Sequence, residues 1–260
     1  MATQRLTLRK VFTGGAPVFP RLLDLVQQMA PNADIVALYG STEAEPIAHL
    51  SLRELDATDR HAMLAGRGLL AGSPVSEVTL RILRTRWGVP IGPFTAAEFD
   101  DNCCAVNEAG EIVVTGGHVL KGYLNGLGDH ETKFRVDGEM WHRCGDAGYY
   151  DDRGRLWLLG RCVGRIDDRH GLLYPFAVET AVYQDPRVKR AAVVGHAGKR
   201  LLILEWYDPS RPGDCEAIHL SVAWAHIDEL RVWDQVPVDN RHNAKIDYPA
   251  LHNRLRSGSR

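Results

Sequence analysis

The chain has 260 residues, of which 45% are hydrophobic and 25% are charged, an ordinary composition for a soluble globular protein. Lys and Arg number 31 against 33 Asp and Glu, so the net charge of −2 gives neither the basic excess of a nucleic-acid-binding protein nor the acidic excess of a disordered one. The apolar runs are far shorter than the roughly 20 residues of a membrane span, and the N-terminus lacks the apolar core of a signal peptide, so we expect a cytoplasmic protein without nucleic-acid or membrane partners.

The cysteines and histidines give no sign of a metal site. The cysteines are odd in number and form no C-x-x-C pair, which indicates reduced thiols rather than a disulfide framework or a zinc site. No histidine pair among His142, His170 and His242 has the i, i+4 spacing of a helical zinc motif, so we interpret them as ordinary histidines. The cysteines are Cys103, Cys104, Cys144, Cys162 and Cys215.

The first part of the chain predicts a strand, a helix and a second strand. Arg9–Thr13 is a short extended run, and Pro20 opens a helix over Arg21–Met29 whose leucines repeat at helical spacing. Ala33–Leu38 is an apolar run apart from Asp34, which is typical of a strand buried on both faces. Tyr39–Glu43 then follows at the carboxyl end of that strand, where open α/β sheets bind ligands.

From about Gly66 to Leu159, short β-like runs alternate with turn signals, which predicts a mostly antiparallel β region. After Arg161 the pattern changes to an α+β unit, and Gly160–Asp168 is the expected hinge. The β runs are Glu77–Leu83, Glu111–Thr115 and Leu156–Leu159; the later elements are helices at Pro175–Gln184 and near Ala217–Glu229 and strands at Ala191–Gly195 and Arg200–Trp206.

Two short segments near the N-terminus each allow two interpretations. Gly14–Pro17 either lets the backbone approach a flat ligand closely or forms an ordinary turn between strand and helix. Tyr39–Glu43 either stacks a base, binds phosphate oxygens and holds Mg²⁺, or forms a turn before a helix, with Thr42 as the N-cap and Glu43 in the first turn.

Two further residues are ambiguous in the same way. Asp146 is expected on a tight turn, where its carboxylate either binds the two hydroxyls of a ribose or is an ordinary solvent-exposed aspartate of a hairpin. Lys245 by itself is typical of surface charge. The chain contains no serine nucleophile elbow, Walker P-loop or G-x-G-x-x-G, which weighs against a serine hydrolase, a P-loop nucleotidase and a Rossmann dehydrogenase.

Taken together and in order, the motifs resemble those of the adenylate-forming superfamily, which includes acyl- and aryl-CoA synthetases, fatty acyl-AMP ligases and peptide synthetase adenylation domains. The resemblance runs from about Lys10 to the end of the chain. The stretch from Trp141–Arg143 to Leu156-Trp157 and the segment Asp239–Ile246 look most like the branch of the olefin-biosynthesis β-lactone synthetases. The motifs are Gly14-Gly15-Ala16-Pro17, Tyr39-Gly40-Ser41-Thr42-Glu43, Gly110–Val114 with Lys121–Asn125, His142–Asp146, Gly160-Arg161 and Asn243-Ala244-Lys245-Ile246.

The resemblance implies an α/β and α+β architecture with three parts. Residues 1–65 would be the remnant of an α/β nucleotide-binding subdomain, residues 66–160 a β-rich subdomain shaped as a distorted barrel, and residues 161–260 a small α+β lid. The family's lid rotates about the hinge after Arg161 between two half-reactions. Val163 stands where many relatives carry Asp or Lys, and we assign it no role.

The resemblance also implies an activity: a carboxylate attacks the α-phosphate of Mg·ATP, pyrophosphate leaves, and a thiol or an internal hydroxyl then captures the acyl-adenylate. The implied cofactors are ATP or AMP and Mg²⁺, the acid is a fatty or β-hydroxy acid, and the acceptor is coenzyme A, a carrier-protein thiol or a substrate hydroxyl. The implied residues are Gly15, Ala16 and Pro17 at the adenine, Tyr39 stacked on it, Gly40 as a further nucleotide-binding residue, Thr42 on phosphate, Glu43 on Mg²⁺, Asp146 on the ribose with Arg161 nearby, and Lys245 as the catalytic cation.

One family feature is missing from the sequence: the Ser/Thr/Gly-rich phosphate loop with its lysine, which precedes the Gly-Gly-Ala-Pro segment in relatives, together with most of the large N-terminal domain. We therefore expect an acid ligase that is incomplete for catalysis alone and that works with a missing N-terminal half or as a homo-oligomer. The alternative is a non-catalytic remnant or interaction module that binds AMP weakly or not at all. In either case we expect the edge strand and helix of the α/β part to be exposed.

Overall fold

Seven α-helices and fourteen strands are distributed over the residues that the computed structural model describes, which are 6–84, 87–240 and 243–258. The strands are β1 (Lys10–Thr13), β2 (Asp34–Ser41), β3 (Ala44–Ser51), β4 (Leu69–Pro74), β5 (Val78–Leu83), β6 (Gly110–Gly116), β7 (Lys133–Val136), β8 (Glu139–Tyr150), β9 (Leu156–Arg161), β10 (Ile166–Asp168), β11 (Gly171–Leu173), β12 (Val188–His196), β13 (Lys199–Trp206) and β14 (Glu229–Val232). The helices are α1 (Pro20–Met29), α2 (Ala57–Leu64), α3 (Ala96–Asp101), α4 (Asp129–Thr132), α5 (Pro175–Val182), α6 (Cys215–Ser221) and α7 (Tyr248–Ser257).

The predicted strand, helix and strand at the start of the chain are confirmed. β1 pairs parallel with β2, and α1 makes the crossover between them. Pro20 lies in the first turn of α1, where its missing N–H leaves no intrahelical bond unmade. Within α1, the side chain of Leu23 is buried, while those of Leu22 and Leu25 are exposed.

The chain turns back directly after β2 and returns as the antiparallel strand β3. The interpretation of Thr42 and Glu43 as the start of a helix is therefore wrong, because the residues after them bury Ile47, Ala48 and Leu50 in a sheet. A Cβ on Gly40 would lie 2.7 Å from the carbonyl oxygen of Ala44, so the tight hairpin requires glycine there.

One continuous sheet links the N-terminal α/β segment to the β-rich region. Its nine strands follow the order β1-β2-β3-β4-β9-β8-β6-β5, with β7 paired to β8 beside that path. The link is the antiparallel pairing of β3 with β4, through Ala48 with Pro74 and His49 with Ser73. Over the described ranges the sheet is open, with β1 and β5 at its edges, and it does not close into the expected distorted barrel.

The C-terminal part is an α+β unit, as predicted. β12 and β13 pair antiparallel, β14 joins β13 in parallel, and α5 packs against β12. The predicted late helix over Ala217–Glu229 is too long: α6 ends at Ser221, His226 adopts a left-handed φ of 50°, and Glu229 begins β14. A short turn at Cys162–Gly164 and the hairpin of β10 and β11 connect this unit to β9.

The expected exposure at the N-terminal edge is present. Phe12 on the edge strand β1 is 58% exposed, and Leu25 and Met29 on α1 are each 44% exposed. Within the described segments, no helix has both the length and the apolar character that a membrane crossing requires.

Candidate functional site

A cavity of about 280 Å³ lies where the N-terminal segment, β8, β9 and the C-terminal unit meet. Segments that are distant in sequence converge on it, because the loop after β1, the end of β2 and the end of β9 all contribute lining residues. Of the residues proposed from sequence, those that line it are Gly15, Ala16, Pro17, Tyr39, Gly40, Asp146, Arg161 and Lys245.

Asp146 forms hydrogen bonds with two other residues that line this cavity. One carboxylate oxygen accepts a hydrogen bond from Tyr39 Oη at 2.9 Å, and the other accepts from Arg161 Nη1 at 3.0 Å. Asp146 and Arg161 are direct cross-strand partners in β8 and β9, so the sheet register itself brings them together. The same Nη1 also donates to the carbonyl oxygen of Cys144 at 3.1 Å, which fixes the guanidinium.

These contacts shift the pKa values of Tyr39 and Arg161. Burial, and then the charge of Asp146, raises the pKa of Tyr39 well above its ordinary value. The neighbouring Asp146 carboxylate likewise raises the pKa of Arg161. Tyr39 is therefore a neutral hydrogen-bond donor, and Arg161 is a permanent cation at the wall of the cavity.

The loop after β1 forms another wall. Gly15 has a φ of +81°, a left-handed conformation that glycine adopts at little cost, and this brings the backbone of Ala16 and Pro17 to the cavity surface. Both the turn and the ligand-approach interpretation of this loop agree with that geometry, since the loop is a strand-to-helix turn that also lines the cavity.

Thr42 and Glu43 lie at the tip of the β2–β3 hairpin rather than on the cavity lining. Thr42 is exposed. Glu43 accepts a hydrogen bond from Tyr123 Oη at 2.9 Å, and its carbonyl oxygen accepts from Leu120 N at 2.7 Å. Burial acts to raise the pKa of Glu43, but the hydrogen bond from Tyr123 together with further hydrogen bonds outweighs it and leaves the pKa below its ordinary value, so the carboxylate stays charged.

Tyr123 belongs to a motif that the sequence showed without assigning the residue a role. It lies in Lys121-Gly122-Tyr123, on the segment that docks against Glu43. Lys133 Nζ lies 5.1 Å from the centre of the Tyr123 ring and donates to the carbonyl oxygen of Leu120 at 2.5 Å. At the hairpin tip, the carboxylate of Glu43 therefore accepts a hydrogen bond from the hydroxyl of Tyr123, and the ammonium group of Lys133 lies over the Tyr123 ring.

His142 lies beside the same lysine. Its Nδ1 is 3.0 Å from Lys133 Nζ, and because an ammonium group can only donate, Nδ1 is the acceptor. Burial, and then the charge of Lys133, lowers the pKa of His142 to about 4, so the ring is neutral at pH 7. His170 instead stacks on His226 with ring centres 4.5 Å apart, and His242 lies outside the described residues.

The C-terminal unit contributes a part of the cavity that the sequence did not indicate. Glu179 on α5 is buried and accepts from Val193 N at 3.2 Å and from Tyr248 Oη at 3.4 Å, and both Glu179 and Tyr248 line the cavity. Burial raises the pKa of Glu179 to about 8, so the carboxyl group is largely protonated at pH 7. Its flanking sequence gives no signal for this, since Glu179 occupies an ordinary position in an apolar helix.

Lys245 reaches the cavity from the loop between β14 and α7, and its side chain is exposed. The thiols of Cys144 and Cys104, neither of which lines the cavity, are not activated as nucleophiles. Burial raises the pKa of Cys144 well above its ordinary value and that of Cys104 to about 11, so both remain protonated at pH 7. This agrees with the interpretation of the cysteines as structural.

A protein-family model described as AMP-binding enzyme matches residues 2–124. An olefin beta-lactone synthetase of Stenotrophomonas maltophilia is 34% identical over 257 residues, which cover 92% of this chain and 46% of that protein. A 4-coumarate–CoA ligase of Nicotiana tabacum is 30% identical over 189 residues, which cover 72% of this chain and 31% of that ligase. The chain thus spans less than half the length of these relatives.

Solved structures agree with the sequence comparisons. The O-succinylbenzoate coenzyme A synthetase of Bacillus subtilis, in complex with ATP and magnesium ion, matches with a TM-score of 0.70 and 26% identity over 98% of this chain and 48% of that one. An amide bond synthetase of Marinactinospora thermotolerans has a TM-score of 0.72 at 23% identity over 95% of this chain and 47% of its own, which shows a shared fold. The resemblance predicted from the ordered motifs is confirmed, and the chain is a relative of the AMP-binding, adenylate-forming enzymes.

Proposed function

We propose that this chain forms the nucleotide-binding part of an ATP-dependent, AMP-forming acid ligase that activates a fatty or β-hydroxy acid as its acyl-adenylate. The observation that carries the proposal is the convergence of Gly15–Pro17, Tyr39, Asp146, Arg161 and Lys245 on one cavity. Chance clustering would not bring together the motifs on which the family resemblance rests.

In the proposed reaction, an oxygen of the acid's carboxylate forms a bond to the α-phosphorus of ATP while the bond from that phosphorus to the pyrophosphate oxygen breaks. The carboxylate of Asp146 has lone pairs left to accept from the ribose hydroxyls, since Tyr39 and Arg161 each occupy one site of one oxygen. The ammonium group of Lys245 stabilises the negative charge that grows on the α-phosphate oxygens in the transition state.

The hairpin tip fits a magnesium ion. Glu43 offers a charged carboxylate, and the described residues contain no cluster of three or more His, Cys, Asp or Glu side chains that would form an all-protein metal cage. Mg²⁺ in nucleotide enzymes is commonly held by one or two carboxylates together with substrate phosphates and water, so a single glutamate suffices. When bound, the ion would neutralise phosphate charge, with Thr42 adjacent for a phosphate contact.

The proposal includes an incomplete active site. The chain covers 46% of the length of a β-lactone synthetase relative, and it lacks the family's phosphate loop. Loss of one transition-state hydrogen-bond donor typically costs about 2.7–4 kcal/mol, so isolated turnover should be absent or very slow. A complementary N-terminal half or a second copy would supply the remainder, and coenzyme A, a carrier-protein thiol or a substrate hydroxyl would accept the acyl group after the lid rotates about the turn that follows Arg161.

Titration calorimetry with AMP and with Mg·ATP tests this proposal. Wild-type protein should bind AMP, and Asp146→Ala should lose that binding because the ribose acceptor is removed. Asp167→Ala is the matched control, since that carboxylate is 65% exposed on β10 and does not line the cavity. Absence of AMP binding by the folded wild type would overturn the proposal.

The second candidate function is a non-catalytic remnant that acts as an interaction module. The exposed apolar residues of α1 and β1 favour it, because such a face suits a partner protein. Pyrophosphate release from Mg·ATP and a mixture of fatty acids distinguishes the two: even slow release that disappears in Lys245→Ala supports the ligase. AMP binding without any release in the presence of a complementary N-terminal half would favour the remnant.

A further inference from the structure

The loop that carries Lys245 is closed at its base by two hydrogen bonds between Asp239 and Lys245. Asp239 N donates to the carbonyl oxygen of Lys245 at 2.9 Å, and Lys245 N donates back to Asp239 Oδ1 at 2.9 Å. Val238 and Ile246 form an antiparallel bridge just outside this pair. These contacts fix the two strands of the loop to each other, but by themselves they do not fix the loop to the rest of the protein.

A buried glutamate anchors the loop to the central strand of the C-terminal sheet. Glu205 lies on β13 with its side chain 2% exposed, and its Oε2 accepts from Val236 N, at the start of the loop, at 2.9 Å. Two cations neutralise the same carboxylate: Lys189 Nζ at 2.8 Å and Arg190 Nη1 at 2.9 Å. A buried carboxylate with this many partners holds a single position.

Arg190 extends from that anchor to the far side of the loop. While Nη1 is held by Glu205, Nη2 donates to the carbonyl oxygen of Asn243 at 3.2 Å and lies 3.4 Å from its Oδ1. Asn243 has a φ of +52° and stands two residues before Lys245, where the chain reverses direction. Lys189 shares the carboxylate of Glu205 but has no contact with Asn243 among the described residues.

We infer that Arg190, fixed by the buried Glu205, is a positioning residue that holds Lys245 at the cavity. The guanidinium is planar and presents its nitrogens in a fixed fork, so one side chain can grip a carboxylate and a carbonyl at once. A displacement of about 1 Å of a catalytic group can cost about 100-fold in rate, which makes such a grip consequential. The inference rests on the role proposed above for Lys245.

Amide hydrogen exchange of the full chain gives the first test. Arg190→Gln should increase exchange in peptides that cover residues 236–247, because the loop loses its contact at Asn243. Lys189→Gln is the matched control: it also removes one cation from Glu205 but leaves that contact, so exchange in the loop should stay at the wild-type level. Equal exchange in wild type and Arg190→Gln would overturn the inference.

The second test measures where Lys245 lies. An adenosine with a lysine-reactive sulfonyl fluoride at its 5′ position should modify Lys245 in the wild type, as detected by peptide mass spectrometry. In Arg190→Gln the rate of Lys245 modification should fall about tenfold, while the affinity for AMP stays unchanged. General destabilisation would lower both quantities, so this difference tests the positioning role. Equal loss in Lys189→Gln would overturn the specific role of Arg190.

The two tests separate failure of the inference from failure of the proposed function. If the wild type binds AMP but Lys245 is not modified, the role proposed for Lys245 is wrong, and a positioning role for Arg190 fails with it. If Lys245 is modified equally fast in wild type and Arg190→Gln, the proposed function stands and the inference is wrong. Arg190→Lys, which keeps the charge but not the fork, should resemble Arg190→Gln.

Discussion

Tyr39 and Asp146 are 107 residues apart in the chain, and the phenol of the first donates to the carboxylate of the second at 2.9 Å. Because Arg161 holds the other oxygen of the same carboxylate, Asp146 joins β2 to β8 and β9 at the cavity. The site is therefore part of the connection between the N-terminal segment and the β-rich region.

The hydroxyl of Tyr39 can be removed without removing its ring. Tyr39→Phe should lower the free energy of unfolding by about 1–2 kcal/mol, because the lost hydrogen bond is to a charged but partly solvated carboxylate. AMP affinity should fall less than in Asp146→Ala, since the aromatic face remains and Asp146 keeps Arg161. Urea unfolding and calorimetry of both variants measure this, and an unfolding free energy equal to the wild-type value would contradict it.

The sequence was sufficient for elements whose signals are local. The sequence predicts β1, α1 and β2 because a Pro-initiated helix with regular leucines lies between a short extended run and an apolar run, and apolar runs likewise predict β12 and β13. The motif residues at the cavity were predicted through a family resemblance; spacing alone left each of them ambiguous.

The missed features depend on contacts between distant segments. Thr42 and Glu43 have the composition of a helix N-cap, yet β3 forms because Ile47 and Leu50 are buried by pairing with β2 and β4. The cavity contribution of Glu179 was missed for a similar reason, since its environment comes from β12 and α7, which follow it in the chain. Tertiary packing overrides local propensity at such positions.

A buried ion pair in the β-rich region should make the protein sensitive to the loss of either partner alone. Arg143 donates to both carboxylate oxygens of Glu111, at 2.9 and 2.6 Å, and each side chain is 1% exposed. Arg143→Met should cost about 3–5 kcal/mol, because it removes both of the hydrogen bonds and the positive charge that Arg143 supplies to a buried carboxylate. Chemical denaturation should show a smaller loss of unfolding free energy for the double variant Arg143→Met with Glu111→Leu than the sum of the losses for the two single variants. A loss equal to that sum would contradict this account.

Stability should depend on pH through Glu179. Its pKa rises from an ordinary value of 4.5 to about 8 in the folded protein because the side chain is buried, so folding retains a proton that the unfolded chain releases. The contribution is present in full below about pH 4.5 and is lost as pH rises through 8, at roughly 1.4 kcal/mol per pH unit within that interval.

The test is urea unfolding between pH 6.5 and 8, in wild type and in Glu179→Gln. His142 affects stability mainly between its pKa of about 4 in the folded state and its ordinary value of 6.5, below this window, and its contribution is common to both proteins. The wild type should lose stability with rising pH relative to the variant, because glutamine does not titrate. Parallel pH profiles for the two proteins would show that Glu179 is ionised in the folded state.

The exposed face of the N-terminal segment should cause self-association. Leu25 on α1 is 44% exposed, and Phe12 on β1 is 58% exposed beside the unpaired edge of a strand, a combination that favours contact between copies. Leu25→Lys and Phe12→Lys should each shift the protein toward the monomer in sedimentation velocity over a concentration series. Leu124→Lys is the control, because Leu124 is 85% exposed elsewhere and the same charge is added there. If all three variants shift the distribution equally, net charge rather than this face governs association.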